Sequence, residues 1–209
     1  RGADRISVNP QSLEDHVLRA IGRKHSADDI RRTMELVASM NFPHVNMDLI
    51  AGLPEDTPEG FRRTLDQCLV YGADNITVHT LALKKGSRIL LEGVPIPGAE
   101  DVAAMLDYAA PVLRGAGFAP YYLYRQKYMS GSFENVGWSR SGKDCLYNIY
   151  MMEELHTILS LGGGGMNKVN LPDGTLQRFH NPKFPEQYIE QLPGVLEQKE
   201  ELFRLMKGC

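Results

Sequence analysis

Four residues in this chain of 209 carry side chains suited to holding a nucleoside and its carboxylate: Gln11 in "SVNPQS", Arg23 in "IGRKHS", Asp48 in "VNMDLIAGLP" and Ala82 in "VHTLALKK". A carboxamide or a carboxylate can exchange hydrogen bonds with the vicinal diol of a ribose. An arginine fork can grip a substrate carboxylate with two parallel bonds. A side chain as small as that of Ala82 lets a flat base lie against the backbone. Each polar residue has a plainer reading beside this one: Asp48 as a helix or loop partner, Arg23 as a solvated charge, Gln11 as a cap. Residue type and spacing leave both sets of readings open.

The elements that would position these residues show a regular rhythm. "GADRISV" at residues 2–8 returns as "GADNITV" at 72–78, so one supersecondary unit is written twice. "RISVNP" alternates Ile6 and Val8 and runs into a loop, as a strand does. Ser12 is placed to cap a helix carrying Leu13, Val17, Ala20 and Ile21 on one face. Ser26 with Asp29 opens a second helix, with Ile30, Met34, Val37 and Ala38 along one side. "HVNMDLIAGLP" reads as the next strand. Thr57 before Pro58 starts a helix with an apolar stripe at Phe61, Leu65, Cys68 and Leu69. "NITVHTLAL" is a third strand, and a helix from about Glu100 to Gly115 follows, with Pro111 inside it.

Strand starts near residues 5, 44 and 76 lie about 39 and 32 residues apart, which is the pitch of βαβ units and a parallel sheet. Such connections are right-handed, and repeated without reversal they curl into a (β/α) barrel whose working residues gather at the C-terminal strand ends. Gln11, Asp48 and Ala82 fall at those ends, and Arg23 sits in the segment after the first strand. Three units make only an arc. The expected fold is therefore α/β: part of a TIM-like barrel, its second half, over residues 1–117. The remaining strand or strands and an α+β extension occupy 118–209. An arc with an open parallel edge needs a partner, either strands preceding Arg1 or a second copy in a homodimer. The opening "RGADR", with no initiator Met, agrees with a piece of something longer.

Beyond Gly117, "YYLYRQKYM" alternates like a strand, "SGSFENVGWSRSGKD" reads as loop and "CLYNIYMMEELHTILSL" as helix leading into strand. "GGGG" at 162–165 is a loop, and the tail from Pro182 is helical with proline breaks, its end "EQKEELFRLMKGC" amphipathic.

Composition narrows the classes. With 43% apolar residues and a net charge of −3, the chain can bury a core and offers no basic footprint for nucleic acid. No apolar run reaches the ~18 residues of a membrane span, and no export signal is present, so a cytoplasmic protein is expected. Cys68, Cys145 and Cys209 form no close pair of the C-x-x-C type, and the six histidines have no metal-ligand spacing, so no metal site is expected within the chain.

"RISVNPQSLEDHVLRAIGRKHS", "VNMDLIAGLPEDTPEGFRRTL", "ITVHTLALKKGS" and "LSLGGGGMNKV" together resemble the radical S-adenosylmethionine (SAM) enzymes of the oxygen-independent coproporphyrinogen III oxidase group, the HemN-like proteins, most closely their HemZ branch. The resemblance runs from Arg5 to about Val169. It implies that Gln11 and Asp48 bind the SAM ribose, that Arg23 holds its methionine carboxylate and that Ala82 lies against the adenine. It implies further that the loop from Gly162 to Met166, including Gly164, closes over the same nucleoside. A [4Fe-4S] cluster is implied too, its three-cysteine motif expected upstream of this chain. There an electron from a donor protein would cleave SAM to a 5′-deoxyadenosyl radical. That radical would abstract hydrogen from a porphyrinogen propionate, and loss of carbon dioxide would leave a vinyl group, a step of haem biosynthesis.

Two features depart from the pattern. Haem chaperones of the group show His-Asn-x-x-Tyr-Trp, where this chain has Tyr147-Asn148 and, in the tryptophan's place, Met152. That leaves a haem carrier as the rival reading, although methionine and aromatic residues at helical spacing more commonly fill a core. The Arg-Asn-Phe-Gln-Gly-Tyr segment of the established oxidases is missing as well, which admits a radical SAM enzyme with another substrate. A barrel enzyme using "LGGGG" as an anion nest is a third reading. The P-loop form of that idea is excluded, because no Gly-Lys-Ser/Thr follows.

Overall fold

A computed structural model describes residues 3–83, 87–125, 133–171 and 173–207. They fall into two compact units, Arg1–Cys145 and Leu146–Cys209. The first contains β1 (Arg5–Ser7), α1 (Asp15–Ala20), α2 (Ala27–Ser39), β2 (His44–Ala51), α3 (Pro58–Val70), β3 (Asn75–Thr80), the single turn α4 (Arg88–Leu91), α5 (Ala99–Gly115), β4 (Phe118–Tyr124) and β5 (Asn135–Arg140). One five-stranded sheet runs in the order β1-β2-β3-β5-β4. Its first three strands are parallel, with Ile6 opposite Val45 and Met47 opposite Ile76.

The repeated Gly-Ala-Asp phrase opens the two strands that flank β2. The Asp4 carbonyl accepts from His44 N at 3.1 Å, and Asp74 N donates to the Val45 carbonyl at 2.9 Å. The next residue of each copy, Arg5 and Asn75, pair with each other through their side chains. Local chemistry sets the helices. Ser26 and Asp29 form the expected capping box at the start of α2, and the Thr57 side chain accepts from Gly60 N with Pro58 in the first turn of α3. Ser12 differs from expectation. Its hydroxyl accepts from Glu14 N at 3.2 Å, and α1 begins only after Glu14, because a turn closed by the serine precedes the helix.

Alternation along the strands sorts them into two faces. Val45, Met47, Leu49 and Ala51 of β2 and Ile76 and Val78 of β3 join Ile30, Met34 and Val37 of α2, Phe61 and Leu65 of α3, and Val102, Met105 and Leu113 of α5 in one core. Each fully buried side chain of this kind contributes roughly 1.5–3 kcal/mol. The opposite face carries Asn46, Asp48, Asn75, Thr77 and His79, the intervening residues of β2 and β3.

Residues 133–144 depart from the loop expected of "SGSFENVGWSRSGKD". They contain β5, which inserts antiparallel between β3 and β4. Trp138 pairs with Ile76 on the core side, whereas Asn135, Gly137 and Ser139 line the polar side. The small and polar residues that suggest a loop are one face of a strand. The compact unit therefore extends beyond Gly117 to Cys145. β4 confirms the start of "YYLYRQKYM" as strand; its continuation at 126–130 lies outside the described residues.

In the second unit, α6 (Leu146–Glu153) is followed by the hairpin of β6 (Met166–Asn170) and β7 (Leu176–His180), then α7 (Pro185–Glu190) and α8 (Leu192–Lys207). Val195 and Leu202 of α8 and Val169 of β6 are buried. α6 does not fill a core: none of its residues is buried, and Tyr147 and Met152 are exposed. Among the described residues no helix is long and apolar enough to cross a membrane.

Gly137 is a sharp test of this packing, because a Cβ placed there would stand 1.8 Å from Cε1 of Tyr122. Gly137→Ala should lower stability by about 1–3 kcal/mol in urea melts. Gly115→Ala, at the end of α5 with open space around it, should be neutral or mildly stabilising.

Candidate functional site

The C-terminal ends of β1, β2 and β3 form one rim. Gln11 N donates to the Asp48 carbonyl at 3.0 Å, and Ile50 N donates to the Gln11 carbonyl at 3.0 Å, so Gln11 is tied to β2 through both backbone groups. Gln11 does this from a left-handed backbone, φ 67°, which a residue with a side chain adopts only when its surroundings enforce it. Leu81 N closes onto the Ala51 carbonyl at 2.9 Å, which sets Ala82 immediately beyond the same strand ends. His25 reaches back to the Pro10 carbonyl at 3.3 Å and holds the Arg23 loop near the end of β1. Arg23 itself is exposed, and among the described residues no group pairs with its guanidinium.

Below the rim, the polar face converges on Asp48. Asn46 Nδ2 donates to Asp48 Oδ1 at 3.0 Å and lies 3.4 Å from the Ser7 hydroxyl. His79 Nε2 stands 3.8 Å from Asp48 Oδ2, beyond hydrogen-bond reach, so its hold on the carboxylate is chiefly electrostatic. Tyr124 OH meets His79 Nδ1 at 3.1 Å, and Tyr122 OH meets Thr77 Oγ1 at 3.1 Å. Burial by itself would raise the Asp48 carboxyl; the pull of His79, Asn46 and Thr77 outweighs it and leaves the group below its ordinary value. Asp48 is thus an ionised acceptor at neutral pH, with its side chain 22% exposed.

In the second unit, the glycine loop ahead of β6 is anchored by asparagines. Gly164 N donates to the Pro182 carbonyl at 2.7 Å, Asn181 N to the Gly165 carbonyl at 2.8 Å, and Asn181 Nδ2 to the Gly162 carbonyl at 2.8 Å. Lys199 of α8 binds the Ser160 carbonyl and Asn167 Oδ1 beside it. Met166 begins β6 and is partly exposed.

The donor set suits a ribosyl ligand. Asp48 is an ionised acceptor, Ala82 adds little bulk, and Asn46 Oδ1, buried beside Asp48, has no partner among the described residues. The cysteines do not suit a metal cluster. Cys68 lies in the helix-side core, where burial pushes its thiol up to about 12, and Cys209 lies outside the described residues. Among the described residues no three His, Cys, Asp or Glu side chains gather as a metal site.

Residues 1–68 match the Radical SAM superfamily. Within that superfamily the chain is similar to coproporphyrinogen oxidase-like proteins. It is 38% identical over 199 residues to the "Oxygen-independent coproporphyrinogen-III oxidase-like protein HemZ" of Bacillus subtilis (strain 168), covering 94% of this chain and 40% of that protein. It is 24% identical to the "Heme chaperone HemW" of Haemophilus influenzae, over 90% of this chain and 46% of that one. The solved coproporphyrinogen III oxidase (HemN) of Escherichia coli shares the fold, with a TM-score of 0.69 at 20% identity over 92% of this chain and 44% of that chain. The chain thus spans less than half the length of these relatives.

Sequence reasoning on the rim did not single out Asn46, Thr77, His79, Tyr122 or Tyr124. Their signal is the alternation itself: in "HVNMD" and "NITVH" every second residue is polar, although parallel strands buried on both faces read as continuous apolar runs. Asp56, in the loop after β2, is a further omission. It is buried, its Oδ1 accepts from Thr57 N at 2.9 Å and its Oδ2 has no partner among the described residues. Burial, with the nearby Glu14 charge adding to it, raises its carboxyl to about 6. An unfolded aspartate ionises near pH 4, so between about pH 4 and 6 the folded chain keeps a proton that the unfolded chain has lost. Stability from this residue is full below that window and is lost as pH rises through it. Asp56→Asn should therefore be more stable than the parent at pH 7, by on the order of 2 kcal/mol, with the gap closing toward pH 4 in urea melts.

Proposed function

We propose that this chain supplies the SAM-binding rim of a radical SAM oxidoreductase that converts the propionates of coproporphyrinogen III to vinyl groups by oxidative decarboxylation. The observation that carries this reading is the ionised Asp48 carboxylate at a rim shared with Gln11 and Ala82. The likeness to the coproporphyrinogen oxidase-like protein HemZ supports the choice of substrate. In this reading Asp48 and Gln11 accept from the ribose hydroxyls, Arg23 grips the methionine carboxylate and Ala82 leaves room for the adenine. Bound SAM supplies hydrogen-atom abstraction, the chemistry that no side chain of this chain provides. A [4Fe-4S] cluster would take its ligands from outside this chain and would supply the electron received from a donor protein.

A haem carrier on the same fold is the second reading. It draws on the chaperone relatives and on α6, which presents Tyr147 and Met152 to solvent where a core was expected. Anaerobic reconstitution of the complete protein, with SAM cleavage, decarboxylation and haem transfer followed together, separates the two. Haem transfer without SAM cleavage would establish the carrier, and SAM cleavage without decarboxylation would point to another substrate.

The site assignment has its own check. Asp48→Ala and Arg23→Ala in the complete protein should each weaken SAM binding by roughly tenfold or more, the worth of a charged hydrogen bond, with iron content unchanged. Unaltered affinity in both variants would remove the assignment.

A further inference from the structure

Two tyrosines of β4 reach across β5 to β3, and both routes lead toward Asp48. Tyr122 lies over Gly137 and bonds Thr77 Oγ1 at 3.1 Å, and Thr77 stands opposite Asp48 in the strand register. Tyr124, its ring nearly parallel to that of Tyr122 at 6.3 Å, bonds His79 Nδ1, and His79 Nε2 faces Asp48 Oδ2. The first route stops at the neighbouring strand residue. The second ends in a gap of 3.8 Å, on the side nearer the strand ends, since His79 pairs with Ile50 while Thr77 pairs with Asp48.

We infer that His79 is a positioning residue of the nucleoside site: oriented by Tyr124, it holds Asp48 Oδ2 for a ribose diol. This rests on the reading of Asp48 as the ribose acceptor. The carboxylate and the phenol together select one imidazole tautomer. With the Tyr124 hydroxyl donating to Nδ1, Nε2 carries the proton and points a donor at Oδ2; the other tautomer would set a lone pair against a carboxylate oxygen. Both side chains are only partly covered, His79 at 23% and Asp48 at 22% exposure, so a ligand hydroxyl can reach the carboxylate. A histidine that only filled space would need neither the phenol on one nitrogen nor the carboxylate facing the other.

The test is a double-mutant cycle in the complete protein, read as the dissociation constant of S-adenosylhomocysteine, which keeps the ribose and is not consumed. His79→Phe should weaken binding about tenfold with Asp48 present and change it little in the Asp48→Ala background. His79→Gln, which keeps a donor, should recover most of the loss. Tyr124→Phe removes a single hydroxyl and should weaken binding about threefold, again only when Asp48 is present. It therefore decides the matter if His79→Phe fails to fold. Equal losses in both backgrounds, or no loss with Asp48 present, would overturn the role of His79 and leave the reading of Asp48 standing. Unchanged affinity for Asp48→Ala alone would overturn that reading instead, and with it the role given to His79.

Discussion

An ionised carboxylate carried on the face of a parallel sheet has to be compensated, and much of the first unit follows from that need. Helices α2, α3 and α5 cover one face of β1–β3 with apolar contacts. On the other face the strands carry amides, hydroxyls and an imidazole whose polar atoms need partners, at a cost of about 1–3 kcal/mol for each buried one left without. Most find them: Asn46 Nδ2 with Asp48 and Ser7, Thr77 with Tyr122, and His79 with Tyr124. Asn46 Oδ1 does not, among the described residues. An unmatched acceptor beside the carboxylate suits a face that receives a polar ligand better than one that packs against protein.

The antiparallel strand β5 is part of the same solution. A fourth parallel strand in its place would have continued the barrel. β5 instead brings Gly137 opposite Thr77, and the missing side chain lets the Tyr122 ring lie over the strand and reach β3. Tyr124 follows two residues later with nearly the same ring plane, 4° apart. Glycine in a strand interior weakens it, and here that weakness is offset by an aromatic ring occupying the vacated space. Burial drives the Tyr122 phenol well above its ordinary value, so it remains a neutral hydroxyl beside the Asp48 charge.

Much of this architecture was legible from local signals. The capping box at Ser26, the Thr57-Pro58 helix start and the repeated Gly-Ala-Asp phrase each rest on chemistry spanning a few residues, and each appears as read. β5 was not legible, because its polar face is written in Asn, Gly and Ser, the residues of turns, and only Trp138 marks the buried side. The start of α1 was misplaced for a related reason: a serine can close a turn as readily as it caps a helix. At the site, spacing put Gln11 past the first strand and Ala82 past the third, where they lie, whereas Asp48 lies inside β2 and not at its end. The tyrosine supports could not be placed by spacing, since they depend on a crossover that puts β4 two strands away from β3.

Costs to stability gather near this rim. Among the described residues, Gln11 and Glu55 are two of four other than glycine with a left-handed backbone, and both lie in loops that leave the C-terminal ends of strands. Strain of that kind is worth roughly 1–3 kcal/mol per residue and persists where surrounding bonds enforce it. Gln11 is enforced by its paired backbone groups on β2, while its carboxamide Nε2 lies 3.5 Å from the Asn9 carbonyl. Asp56 adds a buried acid with one oxygen unmatched in the same loop as Glu55. Gly52, which begins that loop, is confined as well: a Cβ there would stand 2.9 Å from Val102 Cγ2, so the turn lies hard against α5. Local rules are broken most readily where something other than packing sets the residue. Here Gln11, Glu55 and Asp56 break them in the loops that follow β1 and β2.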